Sequence, residues 1–288
     1  MENQKKAARH KYRFINGVHA LMIFFSVSGY ASDKLIGTAA VNQIEGSAGG
    51  GLVPWAVLSG YASDDEWGAS VFTSDSKFDD YSLNTIGFAV NYHDRLELSY
   101  SRMTFGINAG AKDIRVNVAG AKVRLFGDVV FTDIPQVSLG IQYKTLIDFA
   151  IPSSVGAKDD SGTDVYLTAS KVWLDGIAHR TVLLDLNARL SKANQIGILG
   201  FGGDEDNDYD LSFEGAAGIF VNRHWLTGVE YRQKSDHLSA VKENDWLDVF
   251  VTYLPNKSLS VTAAYLSLGD IAGEADQTGY YISLQGAF

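Results

Sequence analysis

The chain of 288 residues carries 24 basic against 34 acidic side chains, a net charge of −10, with 46% hydrophobic residues, 29 Gly, 14 Tyr and no Cys. That apolar and aromatic content excludes a disordered chain, and the missing cysteine excludes a disulfide framework and thiolate metal sites. A mean hydropathy of −0.03 excludes a polytopic helical membrane protein, whose spans each need about 20 consecutive apolar residues, but it suits a β-barrel, in which apolar and polar residues alternate.

The first residues read as a leader. Lys5, Lys6, Arg9, Lys11 and Arg13 stand against one acid, Glu2, and the apolar run 18–27 is followed by Gly29 and Ala31. A basic region, a short apolar core and small residues predict a secretory signal peptide over 1–31 and a single exported domain over 32–288. Cleavage would remove five bases and one acid, leaving a net charge of −14. So acidic a chain is not expected to hold nucleic acid through its phosphates.

The next segment, 34–62, contains two strand candidates, 34–44 and 52–62. In the second, Trp55, Val57 and Tyr61 alternate with Ala56, Leu58 and Gly60 ahead of a tight turn at 63–66. With the about twelve strands that follow from Trp67, they predict about fourteen; the alternative is about twelve, with the N-terminal segment folded inside as a plug, and both totals are even as single-chain bacterial barrels require. Between the candidates lie Gly49, Gly50, Gly51, Pro54 and Trp55. Glycines permit close backbone approach and proline removes a ladder donor, so these five are candidates for a barrel rim or constriction. A kinked loop packed on the barrel wall is the favoured reading of them.

From Ala56 onward, almost every window of about ten residues alternates apolar with small or polar side chains and breaks at Gly, Asp, Asn or Ser, the period-two signature of strands. Leu184, Leu186 and Leu190 oppose Asp185, Asn187 and Arg189; Leu247, Val249, Val251 and Tyr253 oppose Asp248, Phe250 and Thr252. The links alternate in length: long at 148–162, 193–208, 234–245 and 269–278, short at 92–95, 175–179, 222–224 and 255–258. Regular alternation predicts an all-β, antiparallel, up-and-down transmembrane barrel in the outer membrane of a Gram-negative bacterium, its short links periplasmic.

If the apolar face of each strand meets lipid, the other face lines the lumen. The lining candidates are Arg115, Asn117, Gln142, Lys144, Asp185, Asn187, Arg189, Glu214, Glu230, Arg232, Asp248 and Gln285. Such a polar, mixed-charge interior in a barrel too wide for side chains alone to fill predicts a passage. Outward Tyr100, Tyr143, Trp225, Tyr231, Tyr253, Tyr265 and Tyr280 are expected to form interfacial girdles.

One link is strongly acidic, with Asp204, Asp206, Asp208 and Asp210 at alternate positions. Carboxylates suit loosely bound Ca²⁺ or Mg²⁺, although the glycine and distal glutamate of an EF-hand loop are missing, and a solvated acidic loop facing lipopolysaccharide is the other reading. No other cofactor is expected. Of the histidines beyond the leader, His93, His179 and His224 fall in or beside the short links, and only His237 lies on the outer side, near Ser235, Asp236 and Glu243 without catalytic spacing. Catalysis is therefore not expected.

In the last strand, Tyr280, Ile282, Leu284 and the terminal Phe288 share a face. This resembles the C-terminal signature of Gram-negative outer-membrane proteins, which the outer-membrane assembly machinery reads. The runs IEGSAGGGLVPW (44–55), AVLSGYAS (56–63), WGASVFTS (67–74) and DRLELSYSRMTFG (94–106) are similar to an uncharacterised family of proteobacterial outer-membrane β-barrel proteins. The resemblance implies a fold and a location and brings no activity with it. The expected function is a passive or substrate-selective channel for small solutes. The alternative is a structural or adhesive barrel with a closed lumen, whose outer loops contact partners or divalent ions.

Overall fold

The computed structural model describes residues 34–107 and 113–288; the leader expected over 1–31 lies outside them. Twelve strands close into one antiparallel barrel: β3 (Trp67–Phe78), β4 (Tyr81–Tyr92), β5 (Leu96–Ile107), β6 (Ile114–Phe126), β7 (Gln136–Leu146), β8 (Ser161–Trp173), β9 (Val182–Ser191), β10 (Asp210–Asn222), β11 (Trp225–Arg232), β12 (Trp246–Asn256), β13 (Leu259–Ile271) and β14 (Glu274–Ala287). Each pairs with its neighbours in sequence, and β14 closes the ring on β3 from Gly279↔Phe78 to Ala287↔Ser70. Closure leaves no strand edge unpaired, which hydrocarbon demands.

Side chains alternate along the strands as a membrane barrel needs. Leu98, Ile141, Leu167, Leu186, Val229, Val249 and Ile282 point outward and are exposed. Aromatic pairs bound this belt: Trp67–Tyr92 (ring centroids 4.7 Å apart) and Trp225–Tyr253 (4.6 Å) near the Phe288 end, Tyr265–Tyr280 (5.5 Å) towards the other. The end bearing Phe288 holds the links 93–95, 223–224 and 257–258, and the opposite end holds 147–160, 192–209 and 233–245. Short turns mark the periplasmic end.

Three expectations need correction. The barrel has twelve strands rather than about fourteen, which is the alternative reading in which the N-terminal segment folds inside. Segments 34–44 and 52–62 are not wall strands: Ala56 and Leu58 are 0% and 1% exposed, as hidden as their neighbours Trp55 and Val57, whereas a wall strand presents alternate residues to lipid. The second correction concerns the links. Residues 269–278 shorten to a turn at 272–273 because β13 and β14 pair almost to their ends through two register shifts, and the periplasmic link 127–135 is longer than a tight turn.

The third correction is Arg115, with Asn117. Both face outward, Asn117 accepting a hydrogen bond from Arg102 Nε at 2.8 Å, while Ile114, Val116 and Val118 face the interior. Assigning apolar faces to lipid fails on β6 because an apolar partner waits inside: these residues join Ile44, Leu52, Val53, Met103 and Phe105 in one buried cluster.

Candidate functional site

The lumen is occupied by the chain's own N-terminal segment. It enters at the periplasmic end, where Lys34 bonds Asp94 of the β4–β5 turn at 2.6 Å. It folds into a small hairpin of β1 (Val41–Asn42) and β2 (Ala48–Gly49), then returns to the turn before β3. Every residue from 39 to 62 is buried. Among the described residues, the backbone–backbone hydrogen bonds of 38–62 stay within the segment, such as Ile44 N to Gly51 O (3.0 Å) and Trp55 N to Ala48 O (3.1 Å). The segment joins no wall ladder.

Wall side chains satisfy what remains of its backbone, as buried polar groups require. Glu230 Oε2 accepts from the amides of Gly51 (2.6 Å) and Leu52 (2.7 Å). Glu97 accepts from Ala48 (3.1 Å) and Ser59 (2.7 Å). Lys122 Nζ donates to the carbonyls of Ala48 (2.9 Å) and Trp55 (3.0 Å), Asn187 to Pro54 (2.8 Å), and Gln136 and Ser138 to Ala56 (2.7 and 2.6 Å). Asp185 binds the Ser170 hydroxyl and the Asn187 amide, the latter at 2.6 Å, so it braces the same contacts.

The glycine run is set by space. A Cβ on Gly50 would lie 1.9 Å from Glu230 Oε1, and one on Gly49 2.2 Å from Val53 O; Gly51 would come within 3.5 Å of Asp248 Oδ2. Gly49 also bridges Pro54. Close approach, not a left-handed backbone, is what Gly49 and Gly50 supply, whereas a Cβ on Gly51 would make only ordinary contacts. Gly49, Gly50, Gly51, Pro54 and Trp55 thus lie inside the lumen, packed against the inner face of the wall, and not on its rim.

At the tip of the hairpin Glu45 enters a cluster of three acids and three bases. It pairs with Lys144 Nζ and with Arg232 Nη1 (2.6 Å). Arg189 holds Glu214 through Nε (2.6 Å) and Asp164 through Nη1 (3.2 Å), Arg232 Nε reaches Glu214 (3.0 Å), and Lys144 reaches Asp164 (2.6 Å). All six are almost fully hidden. Charges this dry persist only when paired, so the cluster fixes the hairpin's position more than it adds net stability.

Of the predicted lining set, Gln142, Lys144, Asp185, Asn187, Arg189, Glu214, Glu230, Arg232, Asp248 and Gln285 face inward, and they meet the segment or one another instead of open water. The prediction omitted Glu97, Lys122 and Asp164, although Glu97 between Leu96 and Leu98 carried the usual alternation. Glu45 had no such signal.

Two outer links fold over the far end. From 192–209, Ile196, Ile198, Leu199 and Phe201 are buried; from 233–245, His237, Leu238 and Val241 are. They are tied together: Gln195 N donates to Glu243 Oε1 (2.7 Å), and Asp204 accepts from Ser239 N (3.0 Å) and Oγ (2.5 Å). The Ser239 hydroxyl and amide hold the Asp204 carboxyl below the usual carboxylate range. The four aspartates therefore do not form one site. Asp206 and Asp210 instead meet His237, their ligand atoms within 4.8 Å of one another, with His237 Nε2 3.7 Å from Asp210 Oδ2. Two carboxylates and an imidazole are a donor set for a borderline ion such as Zn²⁺ more than for Ca²⁺.

No curated protein matches the sequence. Among solved structures, the KdgM porin is similar at 11% identity and a TM-score of 0.51, covering 76% of this chain and 99% of that one. A structure described as the KdgM porin in complex with disordered oligogalacturonate gives 12% identity, a TM-score of 0.50 and coverage of 76% and 99%. The NanC porin gives 10%, 0.49, 76% and 98%. The KdgM likenesses bear on the fold alone, and they agree with the closed twelve-stranded barrel and its exposed apolar belt. Residues 38–285 match the family model described as "Protein of unknown function (DUF3034)", and the chain belongs to that family.

Proposed function

We propose that the protein is a plugged outer-membrane conduit for small solutes, closed in its resting state by residues 38–62. The observation that carries this reading is that the plug shares no ladder hydrogen bond with the wall. It can leave or rearrange without opening a single strand pair, and the wall it exposes bears Lys144, Arg189, Glu214 and Arg232, charges that water can hydrate. The terminal strand offers Tyr280, Ile282, Leu284 and Phe288 to the assembly machinery, and the outer links meet lipopolysaccharide.

A structural or adhesive barrel with a permanently closed lumen is the second reading, favoured by the complete burial of the Glu45–Lys144 pair. Swelling of proteoliposomes in small neutral solutes separates the two. Replacing Glu45 by Gln removes the plug's one anionic anchor in the six-charge cluster, and the variant is expected to swell faster than the full chain. Equal, background-level swelling of both would favour the permanently closed barrel.

A further inference from the structure

The periplasmic half of the lumen has two unlike walls. Inward residues of β3 to β7 nearest that end are mostly polar, Ser70, Glu97, Lys122 and Gln136 among them, and these four bond the plug. On β8 to β11 the corresponding residues are Val172, Leu183, Phe220 and Leu226. Between these four and Trp55 and Val57 of the plug lies a cavity of about 440 Å³. This is the size of a small-molecule site, which runs from about 300 to 1,000 Å³. Apolar walls do not hold ordered water, and unfilled they forgo dispersion contacts, so the space suits an apolar occupant.

The mouth is charged. Arg180 and Arg223 border the cavity, and both are exposed. The Arg180 guanidinium donates to Val221 O and Arg223 Nε to His224 Nε2 (2.9 Å); among the described residues neither is paired with a carboxylate. The acid on the same link, Asp175, is engaged by His179 at 2.9 Å. An apolar hollow with two uncompensated guanidinium groups at its opening is complementary at once to an alkyl chain and to an anionic head.

We propose that this cavity binds a single-chain anionic amphiphile of the fatty-acid class, its alkyl chain lying among Leu183, Phe220, Leu226 and Trp55 and its carboxylate facing Arg180 and Arg223. The site is formed with the plug in place, so it stands whether or not the plug ever moves.

The test is isothermal titration of the exported chain, exchanged into amphipol, with dodecanoate, dodecanol and dodecyltrimethylammonium, each below its micelle-forming concentration. Saturable one-to-one binding of dodecanoate is expected, about five- to tenfold tighter than that of dodecanol, the gain two exposed ion pairs can give. The double variant Arg180→Gln/Arg223→Gln should bring dodecanoate down to the dodecanol value. Leu183→Trp, which fills the hollow, should abolish binding of both, with heat-modifiable gel migration reporting that the barrel is folded. If Leu183→Trp does not fold, the arginine pair at the surface still decides. Non-saturable uptake of dodecanoate would overturn the proposal, as would equal affinity for the ammonium probe or undiminished binding to folded Leu183→Trp.

Discussion

Glu45 of the plug and Arg232 of β11 are separated by 187 residues in the chain and by 2.6 Å in space. Glu45 is also the plug's only acid in a cluster where the wall supplies Lys144, Arg189 and Arg232 against Asp164 and Glu214. Removing it leaves a dry cluster with one uncompensated positive charge.

Replacing Glu45 by Gln is therefore expected to destabilise the plugged state by about 3–5 kcal/mol, the usual cost of stripping one partner from a buried pair. Hydrogen exchange at 41–52 should show it as faster opening of the plug, with β3 to β14 unchanged. Protection lost equally from plug and wall would instead mean that the two unfold as one unit.

Gly50→Ala places a methyl group 1.9 Å from Glu230 Oε1. Overpacking of this kind costs about 1–3 kcal/mol, and shortening the opposing side chain should return part of it. Thermal midpoints of Gly50→Ala, Glu230→Ala and the double variant would form the cycle, with less-than-additive loss expected. Strict additivity would mean that the two positions do not touch.

Asp204 is held by two hydrogen bonds from Ser239 that favour its ionised form. Its folded-state pKa lies below the unfolded value, so its contribution is present above the ordinary carboxylate range and fades as pH falls through the lowered value. The tie between 192–209 and 233–245 should loosen in acid, seen as faster proteolytic nicking of these links than at neutral pH. In Asp204→Asn, the nicking should be fast at both pH values and its acid dependence reduced.

Asp206, Asp210 and His237 are expected to bind Zn²⁺ in preference to Ca²⁺, because the imidazole supplies a nitrogen ligand that Ca²⁺ does not seek. Titration with each ion, read by the His237 ring signals in NMR, would check this. The Zn²⁺ response should vanish in Asp210→Asn, and an unchanged response would place the ion elsewhere.

The wall was legible in sequence wherever a strand had lipid on one side and polar groups on the other. Asp185, Asn187 and Arg189 face inward as their spacing predicts, and Tyr280 and Ile282 outward. The reading failed on β6, where the plug gives Ile114, Val116 and Val118 an apolar partner inside and Arg115 is turned out. Alternation reports that two faces differ, not which of them is wet. For a related reason, local pattern favours wall strands over the plug alternative for 34–62. Segment 52–62 looks like a strand because Trp55, Val57 and Tyr61 recur at period two, yet a chain buried on all sides has no face to distinguish. Glu45 finds its partners only when five strands are assembled around it, and no local pattern carries that information.

The most direct test of the plugged conduit is single-channel recording in planar bilayers of the full chain beside a variant lacking residues 39–58. The wall ladder is complete without that segment. The full chain should be closed apart from brief openings, and the shortened chain should conduct steadily, with an ion selectivity that shifts when Lys144 is replaced by Gln. A folded shortened chain that passes no current at any voltage would contradict the account.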